Sequence, residues 1–294
     1  MTAGALILLV IILAVMHFQK GQSPAEQFAL KARRLELVNQ IRLNLASAAE
    51  AEKSAVMAIT DEDSEKFADQ ARAATAAAEQ SHQELARLLA SSGNVTERNL
   101  LSQFSQALTQ FQNVDKELLV LAVRNTNLKA SSLAFGPAAE AVKEMDAALA
   151  RLPTGDVKVV RLADDARIAA WRILALLPAH IAEESDQKMD EMEAQMGQED
   201  QAVRRSLNAL AALPNLGGNA DLKAATASYA RFSETRAQIL KLSRENTNVR
   251  SLTISLTQKR KATSLCQDAL AALQQAIQSE PIAGMLHGKA INPR

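Results

Sequence analysis

Apolar residues along most of this chain recur every three or four positions, and charged or polar residues fill the intervals. This period matches the 3.6 residues of a helical turn, so the pattern predicts amphipathic helices that each bury one face. Gly and Pro interrupt helices most strongly, and they number only 10 and 7 in 294 residues. We therefore predict an all-α protein built from long helices.

Short polar stretches and the few Gly and Pro residues divide the chain into eight predicted helices. They cover approximately residues 24–59, 60–90, 96–133, 136–152, 156–196, 198–213 and 220–256, and a last helix ends near residue 277. We expect Ser23 to cap the first helix, with Pro24 at its first position, and Pro178 to bend the fifth.

A repeat relates the two halves of the chain. LLVLAVRNTNLK at 118–129 corresponds to ILKLSRENTNVR at 239–250. Sliding the sequence by 121 positions superposes Phe111 on Phe232, Leu118 on Ile239, and Asn125 on Asn246. Within each trio the residues are seven apart, which is two helical turns, so each trio lies on one stripe of a helix.

This repeat predicts two consecutive antiparallel four-helix-bundle-like repeats of long helices after an N-terminal membrane helix. The predicted divisions are 1–23 for a transmembrane anchor and linker, 24–152 for the first bundle, 153–279 for the second bundle, and 280–294 for a flexible tail. The tail is expected to be poorly ordered because it is rich in Gly and Pro.

Residues 3–18 form an almost uninterrupted apolar run, slightly shorter than the roughly 20 residues that span a bilayer. An uncleaved single-pass anchor is the favoured interpretation, and a cleaved signal peptide or a buried soluble helix are the alternatives. Both membrane-targeting interpretations place the helical body outside the cytoplasm. The predicted location is therefore a membrane, single-pass, with an extracytoplasmic helical body.

Charge and cysteine content exclude several classes. Lys plus Arg equals Asp plus Glu at 33 each, so the chain has no net positive field to attract nucleic acid. Cys266 is the single cysteine, which rules out an internal disulfide and a cysteine-based metal site. No Gly-rich phosphate loop or Ser-centred elbow is present, and only one Glu-x-x-His pair occurs, at Glu79 and His82. We predict no cofactor, no metal and no enzymatic activity.

The segment AEAEKSAVMAITDEDSEKFADQARAATAAAEQ at 49–80, together with the Asn-Thr-Asn segment, is similar to the four-helix-bundle ligand-binding domain of bacterial methyl-accepting chemotaxis receptors. The similarity covers much of residues 25–152 and, more faintly, 156–277. It implies a periplasmic bundle that binds a small organic acid or amino acid and shifts its helices relative to the membrane. The sequence shows no second apolar span, HAMP-type linker or cytoplasmic signalling hairpin, so we expect a partner protein to carry the output.

The two Asn-Thr-Asn segments have two possible roles. In the first, they line a polar gap that holds a ligand, since Asn offers both donors and an acceptor, and nearby Arg and Lys side chains neutralise an anion. The residues of this predicted ligand site are Arg124, Asn125, Thr126, Asn127, Lys129, Arg244, Asn246, Thr247, Asn248 and Arg250. In the second, Asn125 and Asn246 are buried residues that set the register of packed helices, and this role is the favoured one.

We predict a membrane-anchored extracytoplasmic ligand-binding module in signal transduction. The alternative is a structural or adaptor protein whose exposed helix faces dock a membrane complex. A protein partner or a homodimer is expected in either case, because long helices offer extended apolar seams.

Overall fold

The structure is a computed structural model that describes residues 23–281. Every regular element in this range is helical. The α-helices are α1 Pro24–Met57, α2 Asp61–Ser92, α3 Val95–Ala122, α4 Thr126–Leu133, α5 Ala139–Ala150, α6 Val157–Ala182, α7 Asp186–Ala211, α8 Ala220–Glu245, α9 Thr247–Ile254 and α10 Arg260–Ser279. Short π-helical turns occupy Ala134–Ala138 and Ser255–Lys259, and a 3₁₀ turn occupies Pro214–Leu216. The all-helical prediction is confirmed.

Two predictions fall largely outside the described residues. The predicted membrane segment at 3–18 lies before residue 23, and all of the predicted tail except Glu280 and Pro281 lies after residue 281. Between residues 23 and 281, no helix combines the length and the apolar character that crossing a bilayer requires.

The predicted first cap is present. The Ser23 hydroxyl accepts a hydrogen bond from the Glu26 N–H at 3.3 Å, and the Glu26 carboxylate accepts one from the Ser23 N–H at 2.7 Å. This reciprocal pair is a capping box, and Pro24 follows the cap as expected. At the start of α2, the Thr60 hydroxyl accepts from the Asp63 N–H at 3.1 Å.

The predicted helix at 156–196 is wrong, because α6 ends at Ala182 and α7 begins at Asp186. Side-chain oxygens make this break. The Glu183 carboxylate accepts from the Ser185 N–H at 2.9 Å, and the Ser185 hydroxyl accepts from the Lys188 N–H at 3.4 Å. Pro178, the expected bend, lies inside α6.

The predicted helices at 96–133 and 220–256 are both interrupted at their Asn-Thr-Asn segments. Asn125 and Asn246 have φ values of 50° and 52°, in the left-handed region, so neither can continue a right-handed helix. Asn enters this region more easily than most residues. The stripe prediction fails at the asparagines, although Phe111, Leu118, Phe232 and Ile239 are all fully buried.

Gly136-Pro137 does not open a new helix, because the chain passes through it in the π-helical turn Ala134–Ala138. The second π-helical turn, Ser255–Lys259, lies 121 residues later, at the offset that relates the Asn-Thr-Asn segments. Gln258 stands where Pro137 stands in the first copy. The wider turn is therefore a property of the repeat rather than a consequence of proline.

The described chain divides into two compact units. We call one the terminal bundle, made of residues 23–52, Asp69–Asp115 and 258–281, and the other the central bundle, made of Lys53–Ala68 and Lys116–Thr257. The core of the terminal bundle is built from α1, α2, α3 and α10, and it includes Cys266, whose pKa burial raises to about 12. The core of the central bundle is built from α5 to α8 and the end of α4.

These units do not coincide with the predicted consecutive bundles at 24–152 and 153–279. Each repeat supplies three long helices to one bundle and its last helical segment to the other bundle. Thus α10, from the second repeat, completes the terminal bundle, and α5, from the first repeat, completes the central bundle. Both arrangements bury the same apolar stripes, so the sequence pattern alone does not distinguish them.

Candidate functional site

The two Asn-Thr-Asn segments meet inside the central bundle, at the N-termini of α4 and α9. Each helix begins with N–H groups that have no partner inside the helix. The asparagine that precedes each helix makes no side-chain hydrogen bond to its own helix. The missing caps are supplied across the repeat, and we call this arrangement the Asn-Thr-Asn crossing.

The threonines cap one another. The Thr126 N–H donates to the Thr247 hydroxyl at 3.2 Å, and the Thr247 N–H donates to the Thr126 hydroxyl at 3.1 Å. The two hydroxyl oxygens are 3.2 Å apart, so they also share a hydrogen bond. Both threonines are buried, so these contacts satisfy groups that water cannot reach.

Asn127 and Asn248 exchange hydrogen bonds in the same reciprocal way as the threonines. The Asn127 N–H donates to the Asn248 side-chain oxygen, and the Asn248 N–H donates to the Asn127 side-chain oxygen, both at 3.1 Å. The Asn127 amide also donates to the Asn246 side chain at 2.7 Å, and the Asn248 amide donates to the Asn125 side chain at 3.0 Å. The crossing therefore has approximate two-fold symmetry between the repeats.

Four further bonds tie the crossing to its neighbours. The Asn127 amide donates to the Ile181 carbonyl at 2.7 Å, and the Asn246 amide donates to the Glu183 carbonyl at 2.8 Å, so both hold the turn between α6 and α7. The Asn125 amide donates instead to the Asp61 carboxylate at 3.0 Å and to the Thr60 carbonyl at 3.5 Å. Hydrogen bonds from Lys129 and Asn125 lower the pKa of Asp61, which keeps that carboxylate ionised.

The predicted cationic residues surround the crossing, but most are engaged by carboxylates. Lys129 lies 2.9 Å from Asp61, and Arg124 pairs with Glu245. Arg244 contacts Glu193 at 2.7 Å and also pairs with Asp190. Arg250 is exposed.

The geometry favours the register role over the ligand role. Both hydrogens of the Asn127 amide are used within the protein, as are the first N–H groups of α4 and α9. An anion would have to displace several of these bonds to enter. The ligand role at this crossing stays a prediction.

Three buried polar clusters were not found from the sequence. In the terminal bundle, Lys259 is 2% exposed, pairs with Asp115, and lies 3.3 Å above the ring of Phe111. Its counterpart in the repeat is the core residue Ala138, so a comparison of equivalent positions would have marked Lys259 as a charge in a core position.

The second cluster, also in the terminal bundle, surrounds Arg34, which is 3% exposed. Its guanidinium contacts Glu97 at 3.1 Å and Glu280 at 2.8 Å, beside a cavity of about 340 Å³. Burial and the charge of Glu280 raise the pKa of Glu97. Arg34 lies seven residues before the fully buried Ile41 and fourteen before Ala48, so heptad spacing would have marked it as a charge on the buried stripe of α1. The third cluster, at His180 in the central bundle, is described below.

Comparison with known proteins gives a similarity of fold. No protein-family model matches the chain, and no curated protein matches it. The crystal structure of the sensor domain of the histidine kinase sensor TorS from V. parahaemolyticus is similar, with a TM-score of 0.59 and 9% sequence identity. The similarity covers 83% of this chain and 97% of that domain. The chain therefore has the fold of a helical sensor domain.

Proposed function

We propose that this chain is a sensor-like helical module in signal transduction, with a partner protein carrying its output. The observation that supports this role is the extent of the fold similarity, which spans 97% of the TorS sensor domain rather than one helix pair. A likeness at 9% identity concerns fold, so the role itself is our inference.

We further propose that the apolar run at 3–18 anchors the module in a membrane, with the helical body on the extracytoplasmic side. Anchoring suits a sensor-like module, because a helical body fixed to the bilayer can pass a helix displacement to a membrane partner. Extraction tests the anchor. The full-length chain should stay in the membrane pellet after a high-salt or carbonate wash and enter solution only with detergent.

The stimulus belongs to the same proposal, as a small organic acid or amino acid. A ligand that binds only the folded state stabilises it by about 2.7 kcal/mol at 100 times its Kd, which raises the melting temperature by several degrees in a chain of this size. The test is a thermal-shift screen of the detergent-solubilised full-length chain against these compounds. A positive compound raises the melting temperature in proportion to the logarithm of its concentration.

Arg250→Ala separates the predicted ligand site from other sites. Arg250 is exposed, so its truncation should leave the melting temperature without ligand unchanged. A ligand held at the predicted site should lose most of its shift in this variant, and a ligand held elsewhere should keep it. If no compound shifts the melting temperature and a stoichiometric protein co-purifies from membranes, the adaptor alternative replaces the sensor proposal.

A further inference from the structure

His180 lies in the last turn of α6, where it is fully buried and bonded through both ring nitrogens. Its Nε2 is 2.9 Å from the Glu193 carboxylate on α7. Its Nδ1 is 2.8 Å from the Ser243 hydroxyl on α8. All three residues belong to the central bundle.

The Ser243 hydroxyl has two acceptors within reach. One is His180 Nδ1, and the other is the main-chain carbonyl of His180, at 3.0 Å. A hydroxyl carries one hydrogen, so it donates to one of these at a time. The choice is determined by the protonation state of the ring.

With a neutral ring, Nε2–H donates to Glu193 and Nδ1 accepts from Ser243. With a protonated ring, Nδ1–H donates to the Ser243 oxygen, and the hydroxyl turns its hydrogen to the His180 carbonyl. Every polar atom of the trio has a partner in both states, and only one hydroxyl rotation separates them. Such a site takes up a proton without leaving a buried group unsatisfied.

Charged groups on the neighbouring elements set the affinity for that proton. Burial lowers the pKa of His180, Glu193 acts to raise it, and Arg244 acts to lower it. Burial opposes ionisation of Glu193, but hydrogen bonds from Arg244 and His180 lower its pKa overall, so it is a carboxylate. The turn and the first two turns of α7 carry further charged side chains, which are Glu183, Glu184, Asp186, Lys188, Asp190 and Glu191.

The same turn holds the Asn-Thr-Asn crossing. The His180 carbonyl, which accepts the Ser243 hydrogen bond when the ring is protonated, also accepts one from the Glu183 N–H, at 3.4 Å. The next carbonyl, of Ile181, accepts from Asn127, and the Glu183 carbonyl accepts from Asn246. A change in the protonation of His180 therefore affects the main-chain segment 180–183, to which Asn127 and Asn246 are hydrogen-bonded.

We propose that His180 is a proton-binding site, at which uptake of one proton reverses the Ser243 hydroxyl. Ser243 then competes with the Glu183 N–H for the His180 carbonyl, which loosens the α6–α7 turn that anchors the crossing. Ser243 is fully buried, which separates this trio from the exposed nucleophile of a hydrolase. The proton response requires no signalling role for the chain.

The sign of the response follows from burial. The folded state binds the proton less tightly than the unfolded chain, whose histidine titrates near pH 6.5. The neutral state is therefore fully populated above this value, and acidification below it destabilises the fold. We expect the melting temperature to fall as the pH is lowered from 7.5 to 5.

The test uses the full-length chain in detergent, with NMR of the histidine rings between pH 4.5 and 8.5. Substitution of His17, His82 and His287 by Gln in turn assigns three of the four resonances, and the fourth is then that of His180. Hydrogen exchange of the peptides that contain Thr126 and Thr247 reports on the crossing at each pH. We expect His180 to titrate below its ordinary value and exchange at the crossing to rise along the same curve.

Two variants make the result specific. Ser243→Ala removes a donor from the neutral ring and an acceptor from the protonated ring. The bond made by the charged ring is the stronger of the two, so the His180 titration should move about one pH unit lower. His82→Gln, in the terminal bundle, is the matched control, because His82 also contacts a serine hydroxyl, at 2.8 Å, and lies near Glu79. This control should leave the pH response of the crossing unchanged.

The proposal is overturned if the His180 ring shows no protonation down to pH 4.5. Crossing exchange that is insensitive to the His180 titration also overturns it, as does a crossing response lost in His82→Gln. Because Ser243→Ala keeps the imidazole, the test does not depend on the stability of a His180 variant.

Discussion

Two equivalent positions of the repeat are filled differently in the two bundles. In the terminal bundle they hold Asp115 and Lys259, a buried ion pair. At an offset of 121 residues, the central bundle holds Arg236 and Ala138 at these positions. Ala138 is a fully buried core residue, and Arg236 pairs with Asp200 at 3.2 Å. At these positions the terminal bundle therefore pairs two charges with each other, whereas the central bundle buries an apolar residue and pairs its one charge with a partly buried carboxylate elsewhere.

The difference shows where each bundle is vulnerable. The interior of the terminal bundle contains charged side chains. Burying such a pair costs desolvation energy, and removing one partner destabilises the fold further, because the other charge stays buried without a counterion. The polar interior of the central bundle consists largely of neutral amides and hydroxyls that cap one another across the repeat. Removing one neutral partner leaves an unsatisfied group, which costs about 1–3 kcal/mol, less than an unpaired charge.

The largest expected effect concerns the exchange of last helices, by which each bundle contains helices from both repeats. A protease site inserted at residues 154–155, in the exposed loop between α5 and α6, allows the folded chain to be cut once. We expect the two pieces to elute together as one species with the mass of the uncut chain, 31.7 kDa plus the insertion, because each bundle contains helices from both pieces. Size-exclusion chromatography with light scattering measures this.

Separation of the pieces under native conditions would contradict the exchanged last helices and restore the consecutive arrangement. The uncut insertion variant is the control, and denaturant should separate the cut pieces.

The next effect concerns the terminal bundle. Asp115→Asn should leave the Lys259 ammonium without its carboxylate and lower the free energy of unfolding by about 3–5 kcal/mol at pH 7. Burial lowers the pKa of Lys259, so at higher pH the folded variant can hold the Lys259 side chain as a neutral amine. The unfolded chain then binds the extra proton, and stability should recover as the pH rises from 7 toward 10.

Denaturant titrations of both proteins at pH 7 and pH 9.5 measure this deficit. The double variant Asp115→Leu/Lys259→Met is the control, and it should restore most of the loss. A deficit that is equal at both pH values would show that Lys259 is not the group responsible.

The smallest effect concerns the central bundle. Asn125→Ala loses the side-chain bonds to Asp61 and Asn248 and places a β-carbon in the left-handed region, so we expect a loss of about 2–4 kcal/mol. Asn125→Gly loses the same bonds without that strain. It should be about 1 kcal/mol more stable than the Ala variant.

Asn246→Ala and Asn246→Gly repeat the measurement in the other copy, where φ is 52°. Chemical denaturation of the four variants gives the comparison. If Ala and Gly are equally destabilising at both positions, the left-handed conformation contributes nothing to the choice of Asn.

The sequence predicted the helices and the repeat but not the way in which the repeats combine. Seven-residue spacing correctly placed Phe111 and Phe232 in cores. It wrongly placed Asn125 and Asn246 inside continuous helices, because the spacing of apolar residues predicts which way side chains point but does not predict a left-handed φ. The crossing needs partners 121 residues apart, which no local pattern contains. Lys259 and His180 both occupy core positions that the repeat or the helical spacing indicates, but the partners that satisfy them, Asp115 and Glu193, depend on tertiary structure.

The exchange of last helices has a consequence for how the molecule holds together. Two separate half-chains that traded these helices would form a dimer, and its assembly would depend on protein concentration. The loop at 153–156 joins the two half-chains covalently. The effective concentration of one half near the other is therefore on the order of millimolar, and it does not depend on the expression level. Fusion also allows the two copies to differ. The Asn125 amide donates to the Asp61 carboxylate as well as to a carbonyl, whereas the Asn246 amide donates to the Glu183 carbonyl. The two sides of the crossing are therefore similar but not equivalent, and a change at Asp61 would affect one of them alone.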